Sequence, residues 1–129
     1  MVSRFLLMSE TGDSLGDKEK LAETEVLFRE VNEGIAAAAE RLEADEALFV
    51  CECSDMSCTH RIEAQLDDYE KVRKHATYFI LAPGHEAAAF ERVVTRRRGY
   101  WVIQKVEGTM QRIVARLNPR GPNARLGEA

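Results

Sequence analysis

Ala47-Leu48-Phe49-Val50-Cys51-Glu52-Cys53-Ser54-Asp55-Met56-Ser57-Cys58-Thr59-His60-Arg61-Ile62-Glu63-Ala64 is the stretch from which the rest of the chain is read. The apolar run 47–50 has strand character and delivers Cys51 to its end. Residues 61–64 are placed to pair with it, which leaves 51–60 as a loop between two strands. All three cysteines of the chain fall in that loop, in a C-x-C-x4-C-x-H arrangement. An odd, clustered set is not a disulfide framework, and Cys51 and Cys53 stand too close for comfortable bridge geometry. In a reducing compartment such a cluster points to metal or redox chemistry. Thiolates and imidazole suit a closed tetrahedral zinc site, commonly Cys3His.

Three thiolates need one more ligand. His60 is nearest, but all four ligands would then fall within one short loop and tie down little else. His85, in Pro83-Gly84-His85-Glu86, would cross-link two distant turns, where closure constrains the unfolded chain most. His75 suits the end of a short helix, where a cation meets the helix dipole. His85 therefore ranks first as fourth ligand, His60 second and His75 last. A closed Zn2+ site leaves no position for a reacting water, and sulfur ligation weakens the ion as a Lewis acid. The pair His85-Glu86 invites comparison with the H-x-E of zinc deaminases, but here the two residues are adjacent and the cysteine spacing differs. The chain is thus read as a non-enzymatic zinc-stabilised interaction or regulatory module. The alternatives are a thiol-based redox sensor, since zinc-held thiolates are oxidisable, and a nucleic-acid-associated factor.

Upstream, residues 18–44 read as a helix, with Leu21, Thr24, Phe28, Val31, Ile35, Ala38 and Leu42 on one stripe. The spacing favours a long helix laid across a sheet, and it also fits the seam of a helix-mediated homodimer. Gly34 within it suggests close packing at that point. Downstream, 66–74 read as a short helix and 77–82 as a strand closed by Pro83-Gly84. Residues 86–91 are expected to make a helical turn. Residues 92–95 and 100–103 form a hairpin around an Arg-Arg-Arg-Gly turn, with Gly99 supplying positive φ. A last helix begins at a Thr109 cap and runs through Leu117.

A chain of 129 residues supports one hydrophobic core. The expectation is a single α+β domain over 18–118: a long N-terminal helix on a small, mainly antiparallel sheet, with a zinc-stapled loop. A flexible arm over 1–17, with Met8 as an alternative start, and a loose tail over 119–129 flank it. No apolar run approaches the roughly 18 residues of a membrane span, and residues 1–8 lack a secretory core, so a cytoplasmic protein is expected. Charge is uneven: residues 1–95 carry 10 basic against 20 acidic residues, and 96–129 carry 8 against 2. That asymmetry suits either a charged partner or self-complementation within the fold. Arg96, Arg97 and Arg98, beside Tyr100 and Trp101, make a candidate anionic-partner patch. The sequence pI of about 5.4 nevertheless places a protein partner ahead of nucleic acid. No P-loop, dinucleotide, nucleophile-elbow or zincin motif is present.

Phe28-Arg29-Glu30-Val31-Asn32-Glu33, Cys51-Glu52-Cys53 with Cys58, Tyr69-Glu70-x-Val72-Arg73 and Pro83-Gly84-His85-Glu86 together resemble a small bacterial, mainly actinobacterial, family of hypothetical proteins. The resemblance spans about residues 28–106. It implies Cys51, Cys53, Cys58 and His85 as the ligand set, with the position of His60 free to vary, and it implies no activity. Where that pattern places threonine ahead of the short helix this chain has Gln65, which implies different capping.

Overall fold

The computed structural model describes residues 15–120. Residues 1–14 of the expected arm (1–17) and 121–129 of the expected tail (119–129) lie outside the described residues. Helix α1 (Leu15–Arg41) begins inside the expected arm and ends three residues before the expected Ala44. It closes on Glu43, whose φ of 57° turns the chain back. There the Glu43 and Ala44 amides donate to Glu40 and Ala39 carbonyls, the pairing of a Schellman stop. Strands β1 (Glu46–Val50) and β2 (Arg61–Gln65) pair antiparallel, with Phe49 opposite Ile62 on the buried side. The alternation of apolar Ile62 and Ala64 with charged neighbours sets that face. Helix α2 (Leu66–Arg73) follows without a loop, and Gln65 caps it with no side-chain bond.

Three further strands, β3 (Tyr78–Leu81), β4 (Glu91–Arg96) and β5 (Trp101–Lys105), form a second antiparallel sheet in the order β3-β5-β4. Helix α3 (Gly108–Arg116) closes the described fold. The architecture is α+β as expected, but with two small sheets rather than one. They are joined through Glu52, whose amide donates to the Ile80 carbonyl at 2.9 Å. Tyr78, Ile80 and Val102 face α2, whereas Phe79 and Lys105 face α1, where they meet Arg29 and Glu25.

The main departure from the sequence reading concerns which face of α1 is buried. The core side carries Ala22, Glu25, Val26, Arg29, Asn32, Ala36 and Ala39. Of the apolar stripe, Val31 is 44% and Leu42 80% exposed. Gly34 has no neighbour within 4 Å of a would-be Cβ, so nothing packs closely there. Three local expectations also change. Glu107, not Thr109, caps α3, accepting from the Met110 amide at 2.9 Å. The helical turn expected over 86–91 shrinks to a turn at 88–90, closed by the Phe90 amide on the Ala87 carbonyl at 2.9 Å. Among the described glycines positive φ belongs to Gly84 at 83°, and the hairpin turns without it at Gly99.

Buried charges sit between α1 and the second sheet. Arg29 donates to the Ala76 and Val114 carbonyls at 2.7 and 2.8 Å, with its guanidinium 4.6 Å from the centroid of the Phe79 ring. Burial first, then neighbouring Arg73, lowers its pKa to about 10, so it stays charged at neutral pH. Lys105, fully buried, bridges Glu25 and Glu91. No helix among the described residues is long and apolar enough to cross a membrane.

Candidate metal centre

The loop after β1 is folded by its own side chains. Cys51 extends the β1–β2 ladder, its amide donating to the His60 carbonyl at 3.2 Å. Asp55 then accepts from the Ser57 amide and hydroxyl at 2.9 and 2.7 Å. The Cys58 amide donates to the Asp55 carbonyl, and this Asx-type turn brings Cys58 back towards Cys51 and Cys53. The Ser57 bonds hold the Asp55 carboxyl below its usual range.

The facing wall is the turn after β3. Pro83 presets φ, Gly84 takes the left-handed conformation, and the His85 amide donates to the Ala82 carbonyl at 3.1 Å. That is the chemistry of a type II turn. It presents the His85 ring to the loop, with Nδ1 3.6 Å from both Cys51 Sγ and Cys58 Sγ. The four ligand atoms of Cys51, Cys53, Cys58 and His85 all lie within 4.8 Å of one another. Three cysteines of one loop and a histidine 27 to 34 residues further on thus converge on one point that can hold a metal ion.

His60 and His75 do not join this group. His60 is exposed and packs edge-on against the His85 ring, with centroids 4.5 Å apart. His75 lies beyond α2, stacked on Tyr78. Glu86 is likewise outside the cluster. The arginine run occupies the exposed tip of the β4–β5 hairpin, with the Arg96 guanidinium 4.9 Å from the Trp101 ring centroid.

Cys51 and Cys53 are buried. Burial, then repulsion from the neighbouring thiols, pushes the Cys51 thiol up strongly, although the Ala82 amide donates to its sulfur at 3.1 Å. Burial raises the Cys53 thiol as well, so without a cation Cys51 and Cys53 hold their protons. A bound cation supplies the charge that releases them.

Glu52, between two of the cysteines, is a residue the sequence reading passed over. It is fully buried; Oε1 accepts from the Ile80 amide at 3.0 Å and Oε2 from Asn32 Nδ2 at 2.8 Å. Asn32 also exchanges two 2.8 Å bonds with the Val50 backbone. The loop is thereby fastened to α1 and β3 from behind. The sequence carries no signal for this: alternation from Phe49 and Cys51 puts residue 52 on the opposite face, where a carboxylate is expected to meet solvent.

Comparison with protein-family models, with curated proteins and with solved structures returns no match to this chain.

Proposed function

We propose that Cys51, Cys53, Cys58 and His85 hold one Zn2+ and that the protein is a non-catalytic, zinc-stabilised interaction module of a reducing, cytoplasmic compartment. The observation that carries the reading is the pair of 3.6 Å separations from His85 Nδ1 to Cys51 Sγ and Cys58 Sγ. Zinc–sulfur and zinc–nitrogen bonds of about 2.3 and 2.0–2.1 Å at tetrahedral angles give an S···N edge of about 3.6 Å. The widest pair, bounded by 4.8 Å, exceeds the tetrahedral edges of about 3.6–3.8 Å by no more than about 1.2 Å, a gap that a slight tightening of the loop around the ion closes. The soft donor set favours zinc over the hard divalent cations.

A site with three thiolates and one imidazole is closed, which supports a structural ion. It ties the 51–58 loop to the 83–86 turn and so completes the junction between the two sheets. The test is metal analysis of purified, reduced protein with single-site variants. About one zinc per chain is expected. His85→Ala is expected to release it, and His60→Ala to retain it. A wild-type protein without near-stoichiometric zinc sinks the reading, and retention by His85→Ala with release by His60→Ala overturns the ligand set.

A further inference from the structure

The α2-side face of the second sheet is covered only in part. Tyr78 and Arg92 are both cross-strand partners of Gln104, so the three side chains share one face. Arg92 donates to Gln104 Oε1 at 2.6 Å and remains exposed. Where α2 leaves the sheet, a cleft of about 120 Å3 opens between Lys71, Tyr78, Thr95, Arg97 and Tyr100. Exposed His75 lies flat on Tyr78, ring centroids 4.1 Å apart and planes 22° from parallel.

This surface is basic in an acidic protein. Lys71, Arg92 and Arg97 are exposed on or beside it, with Arg98 next to them at the hairpin tip. Its one acid, Asp68, is engaged by Lys71 at 3.8 Å and by the Tyr100 hydroxyl at 3.4 Å. The other acids of α2 face elsewhere, Asp67 and Glu70 lining grooves shared with Glu33 and Glu40 of α1. Overall charge placed a protein partner ahead of nucleic acid, but the fold gathers basic residues on this surface and lines other grooves with Asp67 and Glu70.

From this arrangement we infer that the face formed by Lys71, His75, Tyr78, Arg92 and Arg97 binds single-stranded nucleic acid. Cations spaced along a sheet beside an exposed ring stack match a strand whose phosphates are neutralised while a base stacks. A double helix keeps its base faces inside the stack, and an acidic peptide has no base to offer the rings. The inference gives the proposed module its partner and rests on that reading, though no metal ligand lies on the surface.

The test is fluorescence anisotropy with the full, zinc-loaded chain. Probes are labelled 12-nucleotide oligouridine, the matching oligothymidine, a duplex of equal length, and heparin. The single strands are expected to bind, with the RNA and DNA arms showing whether the 2′-hydroxyl contributes. With about three phosphates neutralised, affinity falls about 20-fold between 50 and 200 mM salt. Arg97→Glu and Lys71→Glu each weaken binding about tenfold and flatten the salt dependence. His75→Ala, at an exposed position that the fold does not require, weakens the single strands about fivefold and leaves heparin unchanged. Absence of binding at 50 mM salt overturns the inference. So does heparin or the duplex binding as tightly as the single strands with no effect of His75→Ala, the mark of an unspecific polyanion surface. Zinc measured on the same samples separates the two readings: loaded protein that fails to bind defeats only this inference, whereas binding without zinc defeats only the metal site.

Discussion

Glu52 fastens the loop of the candidate metal centre from behind. Its carboxylate is the acceptor for the Ile80 amide and for Asn32, both buried. Burial raises its pKa, while bonds from Asn32 and the Ile80 amide offset part of that rise. Glu52→Ala removes both acceptors at once and leaves the Ile80 amide without a partner. A loss of about 2–4 kcal/mol is expected from urea unfolding. Zinc affinity is expected to fall about 10–100-fold in competition with a chelator, because the loop is then free to recoil. Unchanged affinity with lowered stability would mean that Glu52 serves the sheet junction alone. At this scale the cysteines and His85 were legible because their residue types have few other uses at such density. Glu52 was not legible: a carboxylate looks solvated until the strand on its far side is known.

For α1, helical periodicity was legible and its orientation was not. At 100° per residue, the apolar stripe centred on Phe28 and Ile35 and the buried stripe through Ala22, Arg29 and Ala36 lie roughly 110–130° apart. The core takes the second because Arg29 and Asn32 satisfy backbone groups of three other segments: Ala76, Val114 and Val50. Hydrophobicity alone weighs against polar residues inside, but buried polar groups that find hydrogen-bond partners are tolerated, even though Arg29 Nε has none. Paired substitutions on adjacent residues read the orientation directly. Asn32→Ala is expected to cost about 2–3 kcal/mol, through three lost hydrogen bonds. Val31→Lys, on the exposed side, is expected to change unfolding free energy by no more than about 0.5 kcal/mol. Thermal or urea unfolding of the two variants decides it; the reverse order would place the apolar stripe in the core.

Across the whole molecule, part of the charge asymmetry of the sequence is consumed inside the fold, while Arg96, Arg97, Arg98, Arg112 and Arg116 stay exposed. Lys105 from the basic segment 96–129 meets Glu25 and Glu91, and Arg120 meets Glu33 and Glu70. The Lys105 site is unbalanced, with two buried carboxyls facing one ammonium. Burial, and then hydrogen bonding with Glu91, raises the Glu25 pKa well above its usual value despite the opposing pull of Lys105. A raised carboxyl favours the protonated form in the folded state. Its contribution is fully present below the ordinary carboxyl range and is lost as pH rises through the raised value. Glu25→Gln keeps the shape and replaces the shared proton with a permanent amide donor to Glu91. The unfolding midpoint of the variant is therefore expected to gain on that of the wild type as pH rises from about 5 to about 8. Glu33 acts on the opposite limb. Burial alone would raise it, but bonds from Arg120, Arg73 and Tyr69 depress it, so its contribution is lost as pH falls through the depressed value. That limb is common to both proteins and cancels in the difference, as does the metal when both are zinc-saturated. A midpoint difference that stays flat or shrinks with rising pH would show that Lys105 keeps Glu25 ionised and that the triad carries a net negative charge in the core.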